Sequence, residues 1–301
     1  MRITDSMMVG NMLKNLQNNK SELDKLNQQL SSGRKFSKPS DDPIGVTTSM
    51  GFHTKMNNYE QYQKDVNNAK SWLESTENSL SDANKVLQRT SELAVYGAND
   101  TLNPDDRKNM AEEVKELRNE LISIANSKLG QDYLFAGQAT GTKPIEVNNS
   151  YDSTDPNSEY VNYEGDYNKI LRKISDDNNM KVNVNADKVF KQNIETINNL
   201  YEDLKEGKGG DTISSYTSKL QDGMTKNTGT RAEVGAKINR LDLITNRLDD
   251  ELLNTKKLNS KNEDIDLAKV VTDLKMSENV YRASLSSAAR VIQPSLVDFL
   301  K

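Results

Sequence analysis

The chain has 301 residues, enough for two or three domains with a core of their own. Hydrophobic residues are 34% and charged residues 28% of it, and even with the 15 glycines added the apolar share stays below the ~45–50% usual for globular domains, which argues against a compact enzyme and for a chain that is elongated or completed by neighbours. The net charge of −5 is spread over well-mixed signs with no basic block, which excludes nucleic acid as a partner, and the lack of cysteine excludes disulfide scaffolds, thiolate metal sites and cysteine nucleophiles.

The N-terminal residues Met1-Arg2-Ile3-Thr4-Asp5-Ser6 lack the apolar core of a secretory leader. Apolar clusters are only a few residues long, so no membrane span is expected. Val9, Leu16, Leu23 and Leu30 recur every seven residues, with Met12, Asn19 and Leu26 between them. This is the a/d stripe of a first helix, with Gly33 placed as its C-cap. Asn19 either fixes register against a partner helix or is a locally wet position. The methionines of the start (Met1, Met7, Met8, Met12) fit a groove contact or an ordinary packing stripe.

After the loop Arg34–Asp42, Asp42 before Pro43 reads as an N-cap with proline at the first helical position. Tyr59, Val66, Leu73, Leu80, Leu87 and Ala94, accompanied by Tyr62, Ala69, Thr76, Ala83 and Thr90, predict a second helix of roughly 40 residues, about 60 Å long. It stops near Gly97. Asn103-Pro104 opens a third helix with a stripe of Met110, Val114, Leu117, Leu121 and Ile124, ended by Gly130. The short connection makes the second and third helices antiparallel neighbours.

From 131 to 186 the character changes. Tyr133–Phe135, Tyr160–Tyr163, Ile170–Ile174 and Lys181–Val184 are short β-prone runs separated by Gly, Pro, Asn and Asp clusters, the pattern of an inserted antiparallel β domain. Helix returns with Val189, Ile194, Ile197, Leu200, Tyr201 and Leu204, and Gly207-Lys208-Gly209-Gly210 breaks it. That glycine cluster lacks the spacing and ending of a phosphate loop and is expected to be a turn. Val234, Ile238, Leu241, Thr245, Leu248 and Leu252 carry the next helix. A polar stretch, Lys256–Asp264, leads to a last helix lined by Leu267, Val271, Leu274, Tyr281, Leu285, Ala288 and Ile292.

The expected fold is mainly α with a small β insertion: an elongated antiparallel helical bundle or coiled coil built from the N- and C-terminal halves. Three domains are expected. Residues 1–38 with 262–301 form a terminal coiled-coil assembly domain, 39–130 with 187–261 a helical bundle, and 131–186 the β-rich insert. Each terminal segment carries an apolar stripe it cannot bury alone. The candidate assembly interface is therefore Val9, Met12, Leu16, Leu23, Leu26 and Leu30 at one end, with Leu267, Val271, Leu274, Tyr281, Leu285 and Ile292 at the other.

No reactive constellation stands out, so no enzyme activity, metal or cofactor is expected. His53, the single histidine, has no second histidine or cysteine beside it in the pattern and reads as a solvated or packed helix residue rather than a ligand. The adjacent carboxylates Asp41 and Asp42 suit acid–base work in principle. Between two prolines and before a helix they are better read as a turn and a cap.

Several of these stretches resemble the flagellin family, which includes the hook-associated junction proteins. Leu30-Ser31-Ser32-Gly33-Arg34 is similar to the family's first helix ending, and Pro39-Ser40-Asp41-Asp42-Pro43-Ile44-Gly45 to an element of its junction branch. Glu92-Leu93-Ala94-Val95 looks like the end of the family's second helix. Leu129–Gly137 resembles the helix-to-β transition after its third, and Tyr163-Glu164-Gly165-Asp166 is a faint echo. Near the other end, Arg231–Leu241 resembles the family's Arg-x-Glu-x-Gly-x-x-x-Asn-Arg-Leu, while Asp264–Ala268 and Ser295–Leu300 resemble its last helix. The likeness is dense at both ends and weak over 138–186.

The resemblance implies an extracellular structural subunit of the bacterial flagellum, needed for motility. It would be secreted without a cleaved signal peptide through the type III export apparatus, with an export chaperone on its C-terminal stripe. The junction branch implies an adaptor that self-assembles into a ring-like layer between hook-associated protein 1 and flagellin. The expected mechanism starts with largely disordered termini, about 1–32 and 265–301, that pair and bury their stripes on assembly. A filament flagellin is the near rival; a cytosolic coiled-coil adaptor would show the same heptads.

Overall fold

Gly33 shows how the sequence sets its element boundaries. The first helix, α1 (Asp5–Ser32), stops where Gly33 takes φ +72° and its N–H donates to the Gln29 carbonyl at 2.8 Å. The computed structural model describes residues 5–99, 102–148, 150–151 and 158–297, with backbone alone for 5–6 and 291–297.

The second helix, α2 (Pro43–Gly97), begins as expected, with the Asp42 carboxylate accepting the Gly45 N–H at 2.9 Å. Val66, Ala69, Leu73, Leu80, Ala83, Leu87 and Ala94 are all buried, as the heptads predict. Thr76 and Thr90 share that seam without leaving a hydroxyl unpaired, because each donates to the carbonyl four residues back. Asn103 caps α3 (Pro104–Ala125), its side chain accepting the Asp106 N–H at 2.8 Å. Arg107 reaches back to the carbonyls of Gly97 and Asn99, and Arg89 pairs with Glu113 at 2.7 Å, so α2 and α3 run antiparallel.

The expected stop of α3 at Gly130 is corrected. The helix ends at Ala125, where the Asn126 amide donates to Ile122 and Ile145 carbonyls and accepts the Ile145 N–H. Gly130, at φ +66°, instead turns a hairpin between β1 (Lys128–Leu129) and β2 (Asp132–Tyr133). Two further antiparallel hairpins complete the insertion. In one, β3 (Ile145–Val147) pairs with β4 (Val161–Tyr163), Ile145 opposite Tyr163. In the other, β5 (Leu171–Ser175) pairs with β6 (Asn178–Lys181), Leu171 opposite Lys181. The last strand lies three residues before the expected 181–184 run. The tight Asp176-Asp177 turn sets the pairing register, and Val182 and Val184 are buried in the core beyond the strand.

A π-helical turn, Asp187–Lys191, leads into α4 (Gln192–Lys205). The glycine cluster breaks the chain as expected, and α5 (Gly210–Glu263) starts at its last member. The polar stretch 256–263 does not separate the last two helices, because α5 runs through it. Only three residues then precede α6 (Leu267–Val297). The long helices with a small antiparallel insertion match the expected fold class.

The described residues divide into two compact units, 1–58 with 250–301 and 59–249. The large core belongs to the second. There Leu73, Leu80 and Leu87 join Ile194, Ile197, Leu200, Val234 and Leu241, and Phe135 meets Phe190 edge-on at 4.8 Å. Arg118 is buried there and, among the described residues, has no carboxylate partner. It lies over the rings of Tyr160 and Tyr201 and donates to Asn198 at 2.7 Å.

Candidate assembly interface

Within the first unit, α1 and α6 pack against each other in opposite directions. The Ile265 N–H donates to the Gly33 carbonyl at 3.0 Å, and fourteen residues back along α1 the Asn19 amide donates to the Ser284 hydroxyl at 3.0 Å. Val9, Met12, Leu16, Asn19, Leu23, Leu26 and Leu30 all lie half-buried along this seam, and no described side chain of α1 is fully buried. Asn19 therefore faces a partner helix of its own chain, where its amide is satisfied at only one register.

The α6 side of the seam is Val270, Leu274, Ser277, Tyr281, Ser284 and Ala288, spaced four and three apart. Of the α6 residues expected at the interface, Leu274 and Tyr281 belong to this seam. Leu267 (62% exposed), Val271 and Leu285 lie outside it, and the Ile292 side chain falls outside the described residues, as do Asp298, Phe299 and Leu300. The expected stripe mixes two adjacent faces. Counting by fours and threes back from Ala288 through Tyr281 and Leu274 lands on Ser284, Ser277 and Val270, the seam members that apolarity alone does not pick out. Met276 (64% exposed) and Val280 stand on the opposite flank, beside a groove of about 360 Å³ also lined by Asn19, Leu26 and Asp273. Both flanks of α6 thus carry apolar side chains in water.

One end of this pair is tied down by Glu263, the last residue of α5. Its buried carboxylate takes Arg34 at 2.8 Å, the Ser49 hydroxyl at 2.8 Å, the Asn259 amide at 2.9 Å and His53 Nε2 at 3.3 Å. Burial pushes its pKa up, but the hydrogen bonds from Ser49, Asn259 and His53 and the charge of Arg34 outweigh that and hold it below the usual glutamate range. The Lys35 N–H donates to the Glu263 carbonyl, and Asn262 donates to the Gly45 carbonyl. Helices α2 and α5 thus meet at this knot with the segment that follows α1. His53 is half-exposed, on its rim. The acidic pair beside it acts as turn and cap: Asp42 caps α2, while Asp41 accepts the N–H groups of Ser37 and Lys38, which lower its pKa.

Among the described residues, no group of three or more histidines, aspartates or glutamates is placed to hold a metal ion. No described helix is long and apolar enough to cross a membrane.

The family model described as the bacterial flagellin N-terminal helical region matches residues 3–140. The chain is 28% identical over 191 residues to flagellar hook-associated protein 3 of Escherichia coli strain K12, a match covering 63% of this chain and 57% of that one. It is 32% identical over 147 residues to flagellar hook-associated protein 3 of Salmonella typhimurium, covering 48% and 46%. The chain thus spans about half the length of the curated relatives it matches. Its fold is shared with the crystal structure of flagellar hook-associated protein 3 from Legionella pneumophila, with TM-score 0.64 and 16% identity over 70% of this chain and 97% of that one.

Proposed function

We propose that this chain, a relative of the flagellar hook-associated proteins, is a structural subunit of the bacterial flagellum that joins the hook to the flagellin filament. The observation that carries this reading is the α1–α6 pair: a half-wet seam between the first and last helices, with apolar residues left in water on both flanks. A monomer gains nothing by exposing them. A subunit stacked among others buries them, at ~25 cal/mol per Å² of apolar surface removed from water.

In this proposal residues 1–38 and 262–301 are the assembly domain, 39–130 and 187–261 the bundle and 131–186 the insert. The subunit forms a ring-like layer with hook-associated protein 1 on one side and flagellin on the other. It is a structural part and not an enzyme, and it leaves the cell through the type III export apparatus, with a chaperone on α6.

The test is to locate a tagged copy on isolated hook–basal bodies. A single band at the distal end of the hook is expected. Label along the whole filament would instead favour a filament subunit, a second reading supported by the match of residues 3–140 to the flagellin N-terminal region. Deletion separates the two in cells: losing the junction protein spills flagellin monomers, whereas losing flagellin leaves capped hooks. Uniform label in the cytosol would overturn both.

A further inference from the structure

Beside the β5–β6 hairpin, in the second unit, lies a crevice of about 220 Å³ lined by Tyr167, Lys181, Asp187, Lys188, Thr230 and Glu233. The carboxylates on its wall are already engaged. Glu233 pairs with Lys237 at 2.8 Å, and Asp187 is hydrogen-bonded by Tyr167. The lysines are not. Lys181 projects from the end of β6, half-buried, and Lys188 from the π-helical turn; among the described residues neither makes a hydrogen bond or a close ion pair, and the carboxylate charge they share is that of Glu233, already paired with Lys237. Lys169 and Lys237 add positive charge close by, so four lysines face two carboxylates.

Ordinary surface lysines extend into water, and a half-buried one without a counter-ion is costly. Burial, then the charge of Lys237, lowers the Lys181 pKa, and the Glu233 carboxylate offsets this only in part. We propose that this crevice binds a compact oxyanion, a phosphate or a carboxylate, held between the Lys181 and Lys188 ammonium groups. The anion supplies the missing counter-charge. Each contact it makes with these two ammonium groups is charge-assisted. The site is independent of the α1–α6 pair, so its failure leaves the junction reading untouched.

The test uses the full chain and the acetylation rate of each lysine, followed by mass spectrometry at fixed ionic strength while inorganic phosphate or N-acetylglutamate is titrated in. Saturable protection of Lys181 and Lys188, with Lys143 of the insert unchanged, is the expected result. Protection by phosphate alone identifies a phosphate site; protection by N-acetylglutamate identifies a site for an acidic side chain. Lys188→Gln, at an exposed position that leaves the core intact, should weaken protection of Lys181 about tenfold, the loss of one charge-assisted contact. Absence of protection by either anion, equal protection at Lys143, or full protection in the Lys188→Gln protein overturns the proposal.

Discussion

Gly137 and Asp166 lock the start of the insertion together, although they lie 29 positions apart in the chain. Gly137 has φ +75°, and a Cβ there would sit 2.1 Å from the Asp166 carbonyl oxygen. The Asp166 carboxylate accepts the N–H groups of Gln138 and Asn168, and Tyr163 and Asn185 donate to its carbonyl. Gly137→Ala is therefore expected to cost about 2–3 kcal/mol, seen as a lower urea midpoint at unchanged m-value. Glu263 makes a second prediction, with a sign fixed by its lowered pKa. The carboxylate stabilises the fold fully above its ordinary value of 4.5, and that contribution is lost as pH falls through the lower folded value. Melting of the native chain and Glu263→Gln should differ at neutral pH and converge in acid; a gap that widens below pH 4.5 would refute the ionic knot. At this scale the sequence was unevenly legible. Asp42-Pro43 and Asn103-Pro104 read correctly because capping is local. Tyr163–Asp166 left only a faint trace, and Glu263 none, because their partners are distant in sequence: Gln138, Asn185, Arg34 and Ser49.

Helices were legible where burial is one-sided, as in α2, whose heptads map onto the core of the second unit. They were less so in α6, where apolar residues occupy the seam and both its flanks, so that periodicity fixes the helix and leaves the inward face ambiguous. The polar end of α5 was unreadable for the opposite reason: it is held by side-chain bonds from Asn259 and Asn262 rather than by an apolar stripe. The two faces of α6 are experimentally separable. Leu23→Asp puts a charge into the α1–α6 seam, so it should weaken the helix pair by about 1–3 kcal/mol and reduce helicity by circular dichroism. Leu285→Asp, on an exposed flank, should leave helicity and melting unchanged yet block incorporation into flagella, scored by swimming and by flagellin released into the medium. Normal motility of the Leu285→Asp strain would remove the flanks from the interface and leave the seam as the only candidate.

The buried apolar side chains are shared unequally between the two units. Of those described, only Phe36, Met56, Val270, Leu274 and Ala288 belong to residues 1–58 and 250–301, while the rest form the core of residues 59–249. Because stability follows buried surface, the terminal unit should be the one that opens first. Its seam adds to this, since Asn19, Ser277 and Ser284 replace apolar contacts with one hydrogen bond and two small polar residues. Such a pair specifies its register, yet it opens at little cost. A subunit that must exchange contacts within its own chain for contacts with its neighbours needs that property, since a pair as stable as the main core would resist exchange. Native-state hydrogen exchange on the isolated subunit tests this directly. Amides of α1 and α6 should open with a free energy at least about 3 kcal/mol below those of α3 and α4, roughly a hundredfold faster exchange. Equal protection in both units would mean that the extremities are finished in the monomer, and the coupling of their folding to assembly would have to be abandoned.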